Sequence, residues 1–197
     1  HGLLPLLDHI LDKSVDSKEA NDFVRIALAN TDQRIQSGKS VSAGFLFATL
    51  LWPDLLSNWK KNIAKGISNI PALHDAMDET IASQSSGMVI QRRFESDMRE
   101  IWSMQPRFEK RVGRYPYRLI ESPRFRAGYD FMLLRCATGE KNPSLGQWWT
   151  DFIATDPEGQ EALMASVKNE AGNSASPTKR RRRRKPKAAV PTEGAAD

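Results

Sequence analysis

The sequence predicts an all-α fold, a multi-helix bundle, followed by a disordered basic tail. Apolar residues recur at helical intervals along most of the first 171 positions, and no stretch shows a convincing strand alternation. After that point the chain is rich in Asn, Ser, Pro, Thr and Ala and has no apolar periodicity. We therefore expect a helical body domain over residues 1–171 and a tail over residues 172–197.

The first predicted helix opens with a capping signal, Asp16 with Glu19, and ends at Gly38. Its apolar face consists of Ala20, Phe23, Val24, Ala27, Leu28 and Ile35. Residues 42–51 are apolar on nearly all sides, which predicts a helix in the middle of the bundle that is broken by Trp52-Pro53.

Three helices follow towards the middle of the chain. The first carries Leu55, Leu56, Trp59 and Ile63, and the second begins near Pro71, carries Leu73, Met77 and Ile81, and precedes a loop at 83–87. The third has an apolar stripe that leaves Arg92, Arg93 and Arg99 on other faces. This stripe comprises Phe94, Met98, Ile101, Trp102 and Gln105.

A polar residue followed by proline predicts the start of each later helix, because proline suits the first helical turn. The three pairs are Ser122-Pro123, Asn142-Pro143 and Asp156-Pro157. The stripe after the first pair contains Phe125, Tyr129, Met132, Leu133 and Cys136, and Arg126 with Asp130 forms an i,i+4 ion-pair candidate. The stripe after the second contains Leu145, Trp148, Trp149, Phe152 and Ile153, a spacing that favours core packing of the two tryptophans over base stacking.

The positive charge is concentrated near the end of the chain. Of 29 basic and 24 acidic residues, residues 1–178 hold 21 and 22, so the body is nearly neutral. Eight of the nine residues at 179–187 are cationic: Lys179, Arg180, Arg181, Arg182, Arg183, Arg184, Lys185 and Lys187. Like charges repel and nothing apolar offsets the chain entropy, so we expect a mobile arm that binds phosphate backbones or anionic surfaces.

The body carries a basic band of its own. Residues 89–126 hold ten basic and five acidic side chains, whereas residues 1–88 hold 8 and 10 and residues 127–178 hold 3 and 7. Arginine forks suit phosphate and stack on bases, and aromatic residues are interleaved here. The candidate RNA contacts are Arg92, Arg93, Arg99, Arg107, Lys110, Arg111, Arg114, Arg118, Arg124 and Arg126.

A solvated, salt-bridged helical surface is the alternative interpretation of this band. Arg126 then pairs with Asp130, and Arg107 pairs with Glu109 or Glu100.

No catalytic or metal site is predicted. The Gly38-Lys39-Ser40 stretch lacks the first glycine of a phosphate-binding loop, because position 33 is Gln33. The histidines lack partners at metal-ligand spacing, and the carboxylate pairs Glu95/Asp97 and Asp156/Glu158 are better explained by surface pairing and capping.

Cys136, the one cysteine, fits an inert core position in a reducing compartment. The longest apolar stretch, around residues 43–52, is about half of what a membrane helix needs, so no membrane association is expected. Because the chain opens with His1, we expect a fragment or a processed product.

Several segments together resemble a known family. They are GKSVSAGFLFA at 38–48, LLWP at 50–53, PALHDAM at 71–77, RRF at 92–94, MREIW at 98–102 and SPRFRAGYDF at 122–131. With the terminal arginine run, their order and spacing resemble the C-terminal part of bacterial poly(A) polymerase. That enzyme is the RNA-tailing branch of the class II nucleotidyltransferase family, which includes the CCA-adding enzymes. The resemblance covers residues 3 to about 187.

The resemblance implies an enzymatic parent with its chemistry elsewhere. In that family an N-terminal head binds Mg²⁺ and the nucleoside triphosphate through a Gly-Ser turn and paired aspartates, and a neck selects ATP. This chain contains neither, so we expect it to be inactive alone and to hold no cofactor, with Mg²⁺ and ATP serving the full-length parent. Its expected partners are RNA 3′ ends, bound without sequence readout in the bacterial cytoplasm, and the missing head and neck of the same protein.

Two function classes stay open on the sequence. The first is the RNA-binding part of an enzyme that adds poly(A) to RNA 3′ ends from ATP. The second is a stand-alone helical module that binds RNA or protein and has no enzymatic parent. A nuclear localisation signal in the arginine run is a third and weaker interpretation, against which the bacterial resemblance argues.

Overall fold

The structure, a computed structural model, describes residues 18–38, 40–84 and 90–174, with side chains over 22–38, 40–84 and 90–168. In these ranges every regular element is helical, which confirms the all-α prediction. The arginine run at 179–187 lies outside the described residues. A 3-10 helix, Gln105–Glu109, separates α5 from α6. The α-helices are α1 Lys18–Gln36, α2 Ala43–Leu50, α3 Trp52–Ala64, α4 Asn69–Gln84, α5 Arg92–Met104, α6 Tyr115–Ile120, α7 Phe125–Ala137, α8 Pro143–Ala154 and α9 Pro157–Ser174.

Most predicted helix ends within the described ranges are confirmed, whereas the predicted cap at Asp16 lies outside them. Gly38 adopts a left-handed φ of 72° just after α1, a conformation that glycine adopts at little steric cost. The amide group of Asn142 accepts a 2.9 Å hydrogen bond from the backbone N–H of Ser144 at the start of α8. Asp156 caps α9 in the same way, through the backbone N–H of Gly159 at 2.9 Å.

The predicted cap at Ser122 is wrong. Its hydroxyl donates backwards to the carbonyl oxygen of Arg118, at 3.4 Å, and is therefore turned towards the end of α6. α7 begins at Phe125 without a side-chain cap. The Ser-Pro pair thus belongs to the turn between two helices, because a serine hydroxyl can also donate to a carbonyl oxygen four residues earlier.

The apolar residues form two core clusters instead of one. The first joins α1 to α5 with Phe131 and Leu134 of α7. The second joins the 3-10 helix and α6 to α9, and it contains Phe108, Trp149 and Cys136. α7 therefore contributes to both clusters, and the predicted burial of Cys136 is confirmed.

Three residues assigned to apolar stripes are exposed. Ile35 is 59% exposed, Ile63 44% and Ile153 43%, and each lies near the C-terminal end of its helix. A helix end extends past its packing partner more easily than a helix centre does. The stripe assignment is therefore correct for the middle of each helix and wrong for these three positions.

A polar network joins the two clusters. The guanidinium of Arg135, which is 2% exposed, donates to one carboxylate oxygen of Glu140 through Nε at 3.0 Å and Nη2 at 2.7 Å. The other oxygen of Glu140 accepts from the indole of Trp52 at 2.7 Å, and the Arg135 guanidinium lies over the same indole at 4.6 Å. Gln105 accepts from Arg135 at 3.2 Å. We call these four residues the junction.

No helix in the described ranges is both long enough and apolar enough to cross a membrane.

Candidate nucleic-acid interface

The structure divides the predicted basic band into separate regions. Arg92 and Arg93 begin α5, whereas residues 107–118 follow its other end. At 1.5 Å per residue, the 13 residues of α5 set these two regions about 20 Å apart. One continuous patch over residues 89–126 is thus replaced by two exposed regions with paired arginines between and beside them.

Residues 107–118, which we call the basic segment, hold five cations and one carboxylate. That carboxylate, Glu109, is occupied by Lys141 at 2.6 Å. Arg107, Arg114 and Arg118 are exposed, and none of them makes an ion pair or side-chain hydrogen bond to a described residue. Their guanidinium groups are therefore free to bind an anion.

Apolar anchors hold the basic segment in place. The fully buried ring of Phe108 packs edge-on against Trp149 at 5.1 Å, and the indole of Trp149 donates to the carbonyl oxygen of Phe108 at 3.0 Å. Gly113 makes the turn with a left-handed φ of 64°. Leu119 is buried on the far side of the segment. Because these anchors fix the backbone, the arginines between them project from an ordered surface.

The two remaining cations of the basic segment lie against aromatic rings. Lys110 Nζ is 4.9 Å from the ring centre of Tyr115, a residue that is 55% exposed. The guanidinium of Arg111 lies 5.7 Å from the ring centre of Trp148, and its Nε is buried without a hydrogen-bond partner among the described residues. Tyr115 thus offers an open ring face beside free arginines, as single-stranded nucleic-acid sites do.

The first turn of α5 forms the second exposed region. Arg92 has no ion-pair or side-chain hydrogen-bond partner in the described part of the chain, and Arg93 lies over the ring of Phe94 at 4.6 Å. Helix N-termini favour anions, so two cations in this turn are unfavourable for the helix alone. A phosphate bound there would compensate both the helix dipole and the arginines.

Three arginines of the band, Arg99, Arg124 and Arg126, are paired with carboxylates. Arg99 is held by Glu95 at 3.0 Å and by Asp78 at 2.8 Å. Arg124 contacts Asp97 at 2.6 Å and Glu100 at 4.0 Å. The salt-bridged alternative is therefore correct for this part of the band, and so is the surface role predicted for Glu95 and Asp97.

The predicted pair between Arg126 and Asp130 is confirmed, with Nε and Nη2 at 3.1 and 3.0 Å from the two carboxylate oxygens. The pairing suggested for Arg107 is wrong. Glu109 pairs with Lys141 and Glu100 approaches Arg124, so both carboxylates are engaged elsewhere.

Most aromatic residues of the band belong to the cores. Trp102 and Phe108 are fully buried, and Tyr117 packs on Phe152 at 5.5 Å. The packing predicted for the tryptophan pair of α8 is confirmed, since Trp149 is fully buried and Trp148 stacks on Phe152 at 4.9 Å. Among the aromatic side chains of the basic segment, Tyr115 is the one open to a base.

Burial raises the pKa of the Cys136 thiol above its ordinary value, so little reactive thiolate forms at neutral pH. No group of three or more metal-ligating side chains occurs within the described ranges. The chemistry that this surface offers is recognition of anions and aromatic rings.

Similarity to known proteins agrees with this geometry. A family model described as "Polymerase A arginine-rich C-terminus" matches residues 65–187. A protein of Escherichia coli O6:H1 named Poly(A) polymerase I is 31% identical over 199 residues, which is 98% of this chain and 41% of that protein. For the protein of the same name from Salmonella typhi the identity is 31% over 193 residues, 96% of this chain and 40% of that protein. For that of Haemophilus influenzae it is 31% over 166 residues, 82% and 36%.

The chain thus spans about two fifths of the length of these curated relatives.

Proposed function

This chain belongs to the family of the arginine-rich C-terminus of polymerase A, and from that premise we propose that it holds RNA for a polynucleotide adenylyltransferase. In this proposal the chain binds the RNA being lengthened, and the transfer of adenylate from ATP, with Mg²⁺, takes place in the part of the relatives that this chain does not span. The observation that carries the proposal is the set of free arginines beside the open ring of Tyr115.

The chemistry of adding a tail without a template favours such a surface. The enzyme holds a growing 3′ end and has no reason to read its sequence. Arginine contacts to phosphates give affinity that does not depend on sequence, and an aromatic ring stacks on any base. The basic segment offers Arg107, Arg114 and Arg118 for the first kind of contact and Tyr115 for the second. Arg92 and Arg93 at the start of α5 extend the path of the RNA.

The arginine run at 179–187 supplies a second attachment in this proposal. A tethered cationic arm raises the local concentration of RNA near the body, so that each element binds more tightly in the presence of the other. The run carries eight of the 29 basic residues of the chain, and it therefore dominates the long-range attraction.

Deletion of residues 179–187 tests the tail. We expect affinities for unrelated single-stranded RNAs to fall alike, and log K to fall less steeply with log salt, because fewer counterions are released on binding. Fluorescence anisotropy with labelled oligo(A) and oligo(U) at several salt concentrations measures both. An unchanged salt slope would remove the tail from the proposal.

An adenylation assay separates the enzymatic parent from a stand-alone module. With ATP, Mg²⁺ and a short RNA, we expect no tailing by this chain and tailing by a protein extended upstream to the length of the relatives. The family match favours the parent enzyme. A native protein of only this length that binds RNA, with no tailing activity in any longer form, would support the stand-alone module instead.

A further inference from the structure

A pocket of about 590 Å³ lies between α1, the start of α2 and α7. This volume is within the range of roughly 300–1,000 Å³ that is typical of small-ligand sites. It is separate from the basic segment, because its walls come from residues 27–34, 40–45 and 123–137.

The pocket wall carries an excess of positive charge. Arg34, Arg124 and Arg126 line it together with one carboxylate, Asp130. Both oxygens of Asp130 are used by Arg126, and the close partner of Arg124 is Asp97, which does not line the pocket. Arg34 is therefore the cation of the wall that no described carboxylate neutralises, and it favours an anion there.

Arg34 is the arginine best able to hold that anion. Among the described residues its side chain makes one hydrogen bond, from Nη2 to the carbonyl oxygen of Ser40 at 3.4 Å, and it pairs with no carboxylate there. This single contact directs the side chain along the pocket wall while most of its five N–H donors stay free. Arg126 uses Nε and Nη2 for Asp130, so its Nη1 is free as well.

The rest of the wall suits a planar, polar ring. Phe45, Val41 and Leu133 supply apolar surface, which packs against a ring but makes no favourable contact with a bare phosphate. The amides of Asn30 and Gln33 make no side-chain hydrogen bond within the described part of the chain, and each offers donors together with an acceptor. A ligand with an anionic group, an aromatic ring and edge hydrogen bonds uses all three features.

We propose that this pocket binds a nucleoside 5′-phosphate, its phosphate on Arg34 and Arg126 and its base between Phe45 and the amides. We assign this nucleoside phosphate to the RNA strand, of which it is one nucleotide, and not to a free nucleotide. Arg124 and Arg126 belong to the same band of the sequence as the basic segment, and α7 contacts the 3-10 helix at which that segment begins. The assignment of the source rests on the proposed function, whereas the site itself does not.

Titration of the intact chain with AMP and with adenosine, followed by isothermal calorimetry and by amide NMR signals of residues 30–34, tests the site. We expect AMP to bind at least about tenfold more tightly than adenosine, because a charge-assisted contact contributes that much. Arg34→Ala should weaken AMP binding about tenfold. Equal affinities for AMP and adenosine, or an unchanged affinity in Arg34→Ala, would overturn the site.

Arg25→Ala is the matched control, since Arg25 is an exposed arginine of the same helix that pairs with Asp22 and does not line the pocket. Ala137→Phe, at an exposed position on the pocket wall, should also reduce AMP binding by filling the space. Unchanged circular dichroism confirms that each variant is folded.

Competition assigns the source. We expect excess AMP to displace a labelled oligonucleotide of about twelve adenylates in part, and Arg34→Ala to abolish this competition. AMP binding without any competition would mean a site for free nucleotides and would overturn the assignment to RNA. If the chain binds RNA but not AMP, the pocket proposal fails and the proposed function stands. If the chain binds AMP but no RNA, the proposed function fails and the pocket stands.

Discussion

Two neighbouring regions use arginine in opposite ways. In the junction, Arg135 is 2% exposed and its donors are satisfied by Glu140 and Gln105. Two positions after Gln105, the basic segment begins with Arg107, which is exposed and has no side-chain partner among the described residues. The junction stabilises the fold through intramolecular contacts, whereas the basic segment is available to a binding partner.

The comparison shows that partners, and not residue type, decide what an arginine does. A buried guanidinium requires a carboxylate and further hydrogen bonds, since an uncompensated buried charge is strongly unfavourable. An exposed guanidinium has no such requirement, so it can remain free for phosphate at little cost in stability. The free energy of unfolding should depend on the junction, and RNA affinity should depend on the basic segment.

The largest expected effect is on stability, in Arg135→Met. The free energy of unfolding should fall by about 3 kcal/mol, the lower end of the range for a buried pair, because Glu140, whose side chain is 21% exposed, loses its cation. Urea unfolding measures the change, and faster labelling of the buried thiol of Cys136 near pH 8 reports it independently. Arg118→Met is the control, with an expected change within about 0.5 kcal/mol. Equal losses of unfolding free energy in Arg135→Met and Arg118→Met would show that the junction and the basic segment do not differ in their contribution to stability.

The junction has a second test in the pair Arg135→Met with Glu140→Leu. The double variant should recover part of the lost stability, because the half-buried carboxylate that was left without its cation is removed as well. A double variant less stable than Arg135→Met alone would mean that Glu140 acts mainly through Trp52 and not through Arg135.

Tyr115→Ala gives the next largest effect, on RNA. Loss of the exposed ring should weaken binding of single-stranded RNA by about 1–3 kcal/mol, which is the contribution of stacking one base. Tyr115→Phe should retain the affinity, because it keeps the ring. Ile153→Ala, at an exposed apolar position on α8, serves as the control in anisotropy titrations. A loss of the same size in the control would point to general surface hydrophobicity.

The smallest effect is expected from Arg99→Ala. Arg99 is held by Glu95 and Asp78 with its side chain 34% exposed, so its removal should lower the free energy of unfolding by less than about 1 kcal/mol. RNA affinity should change less than in Arg107→Ala, since the guanidinium is already paired. An RNA defect equal to that of Arg107→Ala would show that RNA displaces the carboxylates.

Periodicity predicted the fold class and the helix centres because burial of one face is a local property of a helix. The division into two cores depends on how helices meet. α7 packs on the second cluster through its predicted stripe, which includes Tyr129, and on the first through Phe131 and Leu134 of another face. Helical spacing separates the two faces, but it does not show that the second face meets a core of its own.

The charge band predicted which residue types would be exposed, but not which would be free. Asp78 reaches Arg99 from another helix, and Lys141 takes Glu109 from 32 positions away. Such pairing is settled by tertiary contacts. The pocket residue Arg34 was missed for the same reason, since it lies outside the band and joins Arg126 only in the folded chain.

The salt dependence of RNA binding tests the central claim most directly. We compare Arg107, Arg114 and Arg118, all changed to Ala, with a matched control in which Arg25, Lys60 and Lys61, exposed cations of α1 and α3, are changed to Ala. Both variants lose three positive charges. The first should reduce the slope of log K against log salt by about two, at roughly 0.7 per phosphate contact on a single strand, and the control should leave it nearly unchanged. Equal slopes in the two variants would contradict the assignment of RNA binding to the basic segment.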